Sequence, residues 1–221
     1  MSLREQSALE SLPDTRREIL RHVKTRGEAT AEDIAGALGV TLSGARQHLT
    51  TLERDGLIAH GERRDGPGRP RYIYALTPMG DGLFPRRYAE LTNELLAYVE
   101  DEDPALLARI FDRRAERRLE RTRVRTAGLA FADKVAEVTR ILDEDGYLAG
   151  VERRDDGAYV ITENNCAVLS VALRYGHACG SELEYLRAAL PEAEVTRIAH
   201  RIAGGHVCAY EARPREGVAA G

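Results

Sequence analysis

An α+β architecture is predicted by three features of the chain. Apolar residues recur at helical spacing through most of the first 145 positions, a glycine- and proline-broken hairpin interrupts them near residue 65, and two further hairpin patterns follow residue 146. The 221 residues, 43% of them hydrophobic, can fill one large core or two modest ones.

The first helix is expected from Asp14 to Arg26. Ile19, Leu20 and Val23 share a stripe, Pro13 stands where a missing amide hydrogen costs little, and Gly27 ends the run. Thr30 with Asp33 three places on forms a capping box for a second, short helix, which puts Ile34 and Leu38 on one face and stops at Gly39. After the turn Gly39-Val40-Thr41 a third helix runs from about Ser43 to Arg54. Ala45, Leu49 and Leu52 point inward, and Arg46, Gln47, Thr50 and Thr51 are left largely outward. Leu57 to His60 is strand-like, GERRDGPGRP breaks structure, and RYIYAL resumes with alternating β-formers. Three helices followed by a two-stranded wing are the layout of a winged helix-turn-helix.

From Phe84 the spacing is helical again, with Tyr88, Leu91, Leu95 and Val99 keeping intervals of three and four until Pro104. Leu106, Ile110 and Leu119 continue it through the charged stretch Asp112 to Arg125. Long helices of this kind are linker or dimerisation elements, and RRAERRLERTR is expected to be a solvated face without chemistry. A further helix is expected from Gly128 to Asp145. The rest forms a small α+β domain: a hairpin from Tyr147 to Thr162 turning near Asp155 to Gly157, two helices, and a hairpin from Val195 to Arg213 turning at Gly204-Gly205. The predicted organisation is thus a winged helix-turn-helix over 1–82, a helical linker or dimerisation region over 83–126, a cysteine-containing sensor domain over 127–214 and a flexible tail over 215–221.

No run approaches eighteen consecutive apolar residues, and the polar start MSLREQSALE lacks the layout of a signal peptide, so a cytoplasmic protein without a membrane partner is expected. In that compartment structural disulfides are rare, and three cysteines is an odd count, which leaves the thiols free, catalytic or metal-bound. There is no CxxC, no nucleophile-base pair and no phosphate-binding glycine loop to suggest an enzyme.

Net charge alone does not suggest nucleic acid. Residues 1–80 carry twelve Lys/Arg against eleven Asp/Glu, and the remainder carries twenty against twenty-five. Placement is more informative. Arg46 and Gln47 can read guanine and adenine edges, and Thr50 and Thr51 can reach phosphate or a thymine methyl. In the wing, Arg63, Arg64, Arg69 and Arg71 crowd a narrow tip, and Gly68-Arg69-Pro70 is slim enough to push an arginine into a minor groove. Ser43, Arg46, Gln47, Thr50, Thr51, Arg69 and Arg71 are the candidate contacts to double-stranded DNA.

The cysteines are spaced Cys166-x12-Cys179-x28-Cys208, which is not the paired spacing of a zinc ribbon. Cys166 follows Asn164-Asn165 and is expected to open a helix from Ala167 to Tyr175. Cys179 lies just before Ser181, which with Glu184 resembles a capping box. Both thiols would then sit at helix N-termini, where the dipole and free amides favour thiolate. A two-residue turn at Gly204-Gly205 would put Cys208 opposite Arg201 and on one face with His206 and Tyr210, whereas a bulge would bring His200 to Cys208 instead. Buried, inert cysteines are the plainer alternative for any one of them; for all three together, metal binding is expected.

The winged helix with GRPRYIYALTPMG, followed by NNC, HAC and GGHVCAY, resembles the SufR family of iron-sulfur-cluster-binding repressors of cluster-assembly genes. The resemblance spans nearly the whole chain. Its cysteine pattern, Cys-x12-Cys-x13-Cys-x14-Cys, places the third ligand on Ala193 here, so only Cys166, Cys179 and Cys208 carry over, and the fourth ligand is open between a histidine, a carboxylate, a small thiol and water. The resemblance implies a homodimer that binds an inverted-repeat operator when loaded with a [4Fe-4S] cluster. Zinc or thiol-redox sensing through the same cysteines, and an organic effector with merely buried cysteines, are the competing expectations.

Overall fold

The structure, a computed structural model, describes residues 8–64 and 70–217. It divides into two compact units, residues 1–86 and 87–221. The expected tip residues 65–69, Arg69 included, and the last four residues of the expected tail lie outside the described residues.

The first unit contains α1 (Asp14–Arg26), β1 (Glu28–Ala29), α2 (Ala31–Leu38), α3 (Leu42–Arg54), β2 (Ile58–Arg63), β3 (Arg71–Leu76) and α4 (Pro78–Gly82). Ile19, Leu20, Val23, Ile34, Ala45, Leu49 and Leu52 form its sealed core, as the helical spacing required. The capping box closes as expected: Thr30 Oγ1 accepts from the Asp33 amide at 3.1 Å, and the Thr30 amide donates to Asp33 at 2.9 Å. The wing is three-stranded rather than two-stranded, in the order β1-β3-β2, because Glu28 and Ala29 pair with Ala75 and Tyr74. Two residues carry no periodicity, so β1 is invisible to pattern. The segment Thr77-Pro78-Met79-Gly80 locks the wing's base. Thr77 caps α4, its hydroxyl donates to the Gly56 carbonyl at 2.6 Å, and a Cβ at Gly80 would stand 2.0 Å from the Leu57 oxygen.

The second unit contains α5 (Tyr88–Glu102), α6 (Pro104–Thr126), α7 (Phe131–Leu142), a π-turn over Asp143–Tyr147, β4 (Ala149–Arg153), β5 (Tyr159–Glu163), α8 (Leu169–Ala172), α9 (His177–Ala189), β6 (Ala193–Ala199) and β7 (Cys208–Pro214). The four strands make an antiparallel sheet in the order β4-β5-β7-β6. Tyr159 and Ile161, Val195, and Cys208, Tyr210 and Ala212 alternate onto one face of it, against Val135, Val138 and Leu142 of α7 and Tyr185 and Leu186 of α9.

Several expectations in this unit are corrected. The helix expected from Ala167 begins at Leu169 and lasts a single turn, because Asn164 and Asn165 do not cap it: their side-chain amides donate to the Leu148 and Gly146 carbonyls at 3.0 and 2.7 Å. No capping box forms at Ser181, whose hydroxyl donates back to Ala178 while Glu184 pairs with Arg187. The hairpin turn is longer than two residues, with a 3-10 turn over Arg201–Ala203 before Gly204. Arg215 of the expected tail is tied down, its amide donating to the Glu192 carbonyl at 2.9 Å. The face of α6 is not solvated throughout. Leu107, Phe111, Arg118, Thr122 and Thr126 are buried, and Arg118 Nη1 meets Glu182 of α9 at 2.7 Å beneath the Tyr185 ring.

Candidate nucleic-acid interface and candidate metal centre

In the first unit, Thr41 caps α3 by accepting from the Gly44 amide at 3.1 Å, and the αL conformation of Gly39 turns α2 into α3. Burial of Ala45, Leu49 and Leu52 fixes the rotation of α3, so Ser43, Arg46, Gln47 and Thr50 are exposed and Thr51 is half-buried. The threonine hydroxyls donate to the carbonyls four residues back, Thr50 to Arg46 at 2.9 Å and Thr51 to Gln47 at 3.0 Å, leaving their lone pairs and methyls outward.

Arg71 begins β3 opposite Arg63, and Arg63 is engaged by Glu28 of β1. A concavity of about 550 Å³ is lined by Glu32, Arg46, Thr50, Arg71, Tyr72 and Tyr74. The structure therefore brings Arg46 and Thr50 of α3 and Arg71 of the wing onto one surface. Tyr72 and Tyr74 belong to it as well, a role the alternation of RYIYAL around buried Ile73 could have shown. Glu32 holds Arg46 at 3.3 Å in an exposed pair that DNA would have to replace.

In the second unit the three thiols come from three segments: Cys166 before α8, Cys179 in the first turn of α9, and Cys208 at the start of β7. Cys166 and Cys179 pack beside Phe111, Ala172, Tyr175 and Ala178. The sulfurs feel one another pairwise: Cys208 acts on Cys166, and both act on Cys179. The expectation that helix ends would favour thiolate is overturned. Burial raises the Cys166 thiol against the Val168 amide, which donates to it. Burial pushes Cys179 to about 11 despite the nearby charge of Arg197. Near Cys166 the single-turn α8 offers little dipole, and at Cys179, in the first turn of the longer α9, withdrawal from water outweighs it.

Cys208 accepts a hydrogen bond from the Arg201 amide at 3.4 Å, so these two residues do meet, although not through the expected turn. A bulge between Arg197 and Ala199 sets Ala199 opposite Ala209, where the ladder ends, and His200 is the first residue beyond it. His200 is half-buried, its Nε2 is buried without a hydrogen-bond partner, and burial followed by the charge of Arg197 lowers its pKa. His206, by contrast, is exposed. Glu163 faces Cys208 across the β5-β7 ladder, a neighbour that the hairpin reading could not supply. Burial, and then the charge of Glu182, raises its pKa to about 8, and its Oε1 is likewise buried without a partner.

Among the described residues no three His, Cys, Asp or Glu side chains are grouped so as to hold a single metal ion. The donor set is one a multinuclear cluster can use: three soft sulfurs, amide donors on Cys166 and Cys208, and an orphaned buried oxygen on Glu163 opposite Cys208.

Residues 14–61 match a family model described as a helix-turn-helix domain. The chain carries that domain, and the match runs from the start of α1 into β2. Among solved structures, a transcriptional regulator homologue from Pyrococcus horikoshii is 22% identical, covering 45% of this chain and 91% of its own with a TM-score of 0.30. Bacillus subtilis PadR in complex with operator DNA is 16% identical, covering 58% and 89% with a TM-score of 0.29. No curated protein matches the chain. No described helix is long and apolar enough to cross a membrane.

Proposed function

We propose that the protein is a DNA-binding transcriptional repressor of the SufR type, which holds a [4Fe-4S] cluster and controls iron-sulfur cluster assembly genes. The observation that carries the DNA reading is the single concave surface shared by Arg46 and Thr50 of α3 and Arg71 of the wing. Arg46 and Gln47 read base edges, Ser43, Thr50 and Thr51 bind phosphate or a thymine methyl, and Arg71, with Arg69 at the tip, follows the backbone into the minor groove.

A homodimer is supported by α5, none of whose residues is buried. Tyr88, Leu91, Leu95 and Tyr98 are 67, 52, 53 and 58% exposed at intervals of three, four and three, the seam of a self-pairing helix. Two paired chains present two reading helices to an inverted repeat.

Cys166, Cys179 and Cys208 would hold the cluster, with His200 better placed than His206 as the fourth ligand. When bound, the cluster supplies a link that oxidants or iron shortage can break. The chain's own residues make that link matter: Cys166 and Cys179 pack on Phe111 of α6 and share their cluster with Leu96 and Val99 of α5, so tying the thiols together fixes the helices that would pair. Cluster and operator then stabilise each other reciprocally.

Anaerobic purification tests the reading. Wild type is expected to show visible absorption with matching iron and sulfide, Cys179→Ser to lose both, and the loaded form to bind a DNA fragment enriched from a random duplex library more tightly than the cluster-free form. Equal affinity of the two forms would overturn the switch while leaving DNA binding intact.

A further inference from the structure

We propose that α6 carries an anion-binding groove, separate from the cysteines, that takes a small multivalent phosphate compound. The groove, about 520 Å³, is lined by Arg113, Arg114, Arg117, Arg118 and Arg121 of α6 and by Asp145 of the π-turn. Arg113, Arg117 and Arg121 are four residues apart, which stacks them along one side of the helix at steps of about 6 Å.

The arginines are not equally committed. Arg121 is spent on Asp145, with bonds of 2.7 and 2.9 Å, and Arg118 is neutralised by Glu182 at 2.7 Å with Asp145 accepting from its Nε at 3.1 Å. Among the described residues Arg114 donates only to the Tyr147 hydroxyl, at 3.4 Å, which brings no negative charge. Among the described residues Arg113 and Arg117 have neither an ion pair nor a hydrogen bond, and both are exposed. Three arginines thus line one groove with no carboxylate partner of their own among the described residues.

Arg118, the most buried arginine of the lining, is incompletely satisfied. The Arg118 side chain is 9% exposed, and its Nη2 is buried with no partner. A nine-tenths buried guanidinium with an unanswered donor is costly unless something accepts from it. Guanidinium forks match phosphate oxygens in pairs, and several forks around one groove favour an anion of more than one charge. A groove of about 520 Å³ lined by five guanidinium groups suits a small polyanion. Asp145 is already held by Arg118 and Arg121, so the occupant is held by the arginines that lack a carboxylate partner, Arg113, Arg114 and Arg117.

The test is calorimetric titration of the full chain with inorganic pyrophosphate at fixed ionic strength. Saturable binding is expected, weakened at least tenfold in the double variant Arg113→Ala, Arg117→Ala and unchanged in Arg123→Ala, an exposed arginine of the same helix outside the groove. Both variants remove exposed side chains, and an unchanged melting temperature without pyrophosphate verifies their folding. Repeating the titration in Cys179→Ser separates this site from the cluster, since binding is expected to persist there. Absence of saturable binding, or equal weakening in the double variant and in Arg123→Ala, overturns the proposal. A double variant that loses DNA affinity in a chain that binds no pyrophosphate assigns the groove to nucleic acid and overturns it as well.

Discussion

The surface shared by α3 and the wing in the first unit and the three-cysteine region of the second are built in opposite ways. Arg46, Gln47 and Thr50 lie within five residues of one helix, point into water and depend on the core only for the rotation that Ala45, Leu49 and Leu52 impose. Cys166, Cys179 and Cys208 come from three segments and sit half-buried or buried, and loss of solvent raises the Cys166 and Cys179 thiols. A surface built from consecutive residues tolerates substitution residue by residue. A region built from distant segments depends on whatever holds those segments together.

That dependence makes the largest prediction. Arg118 and Glu182 join α6 to α9, the helix that carries Cys179 in its first turn. Glu182→Ala leaves a buried guanidinium short of its main counter-charge and is expected to destabilise the second unit by about 3–5 kcal/mol. Thermal unfolding followed by calorimetry should show the loss, while the isolated first unit's transition stays in place. Replacing both partners with apolar residues of similar size, Arg118→Met with Glu182→Leu, is expected to recover most of it. A double variant as unstable as the single one would mean that the pair holds the unit together by more than mutual neutralisation.

The same contrast decides what was legible. The helices of the first unit follow from apolar spacing plus local signals, Thr30-Asp33, Gly39 and Thr41, each acting within four residues of where it stands. The partners of the second unit are remote. Arg118 finds Glu182 sixty-four residues away, so its stretch looks like any charged, solvated helix. Glu163 meets Cys208 because β5 and β7 are neighbours in the sheet, a pairing that two separately recognised hairpins do not contain. Asn164 and Asn165 are good capping residues by type, yet the carbonyls of Gly146 and Leu148, exposed by the π-turn, take their side chains first. His200 and His206 were equally open in the sequence, because burial, which leaves His200 half-buried and His206 exposed, depends on packing that the local pattern does not carry.

On the surface shared by α3 and the wing the effects are smaller and separable. Arg46→Ala is expected to cost about 1–3 kcal/mol of operator affinity and to relax preference at one base position, as loss of a base-edge contact does. Arg71→Ala should weaken binding evenly across sequences and lower the slope of log affinity against log salt by about 1, as loss of a phosphate contact does. Binding to a panel of single-base operator variants at several salt concentrations distinguishes them. If Arg46→Ala weakens all sequences equally, then its place beside Glu32 serves the phosphate backbone, and base reading falls to Gln47.

The smallest effect sharpens the contrast from the stability side, because the capping box can be removed without disturbing any distant partner. Thr30→Ala deletes the hydroxyl that accepts from the Asp33 amide and is expected to cost about 1 kcal/mol. The hydrogen bonds from the Thr30 side chain and amide hold the Asp33 pKa below its ordinary value. A carboxylate whose folded-state pKa is lowered contributes fully above its unfolded-state value and loses that contribution as pH falls through the folded-state one. Wild type should therefore lose a small increment of first-unit stability in acid that Thr30→Ala, having lost the side-chain bond, loses less of. Urea unfolding of both proteins at neutral pH and in acid measures the difference. A gap between them that does not narrow as Asp33 protonates would place the box's contribution in the helix backbone instead of the ionised carboxylate.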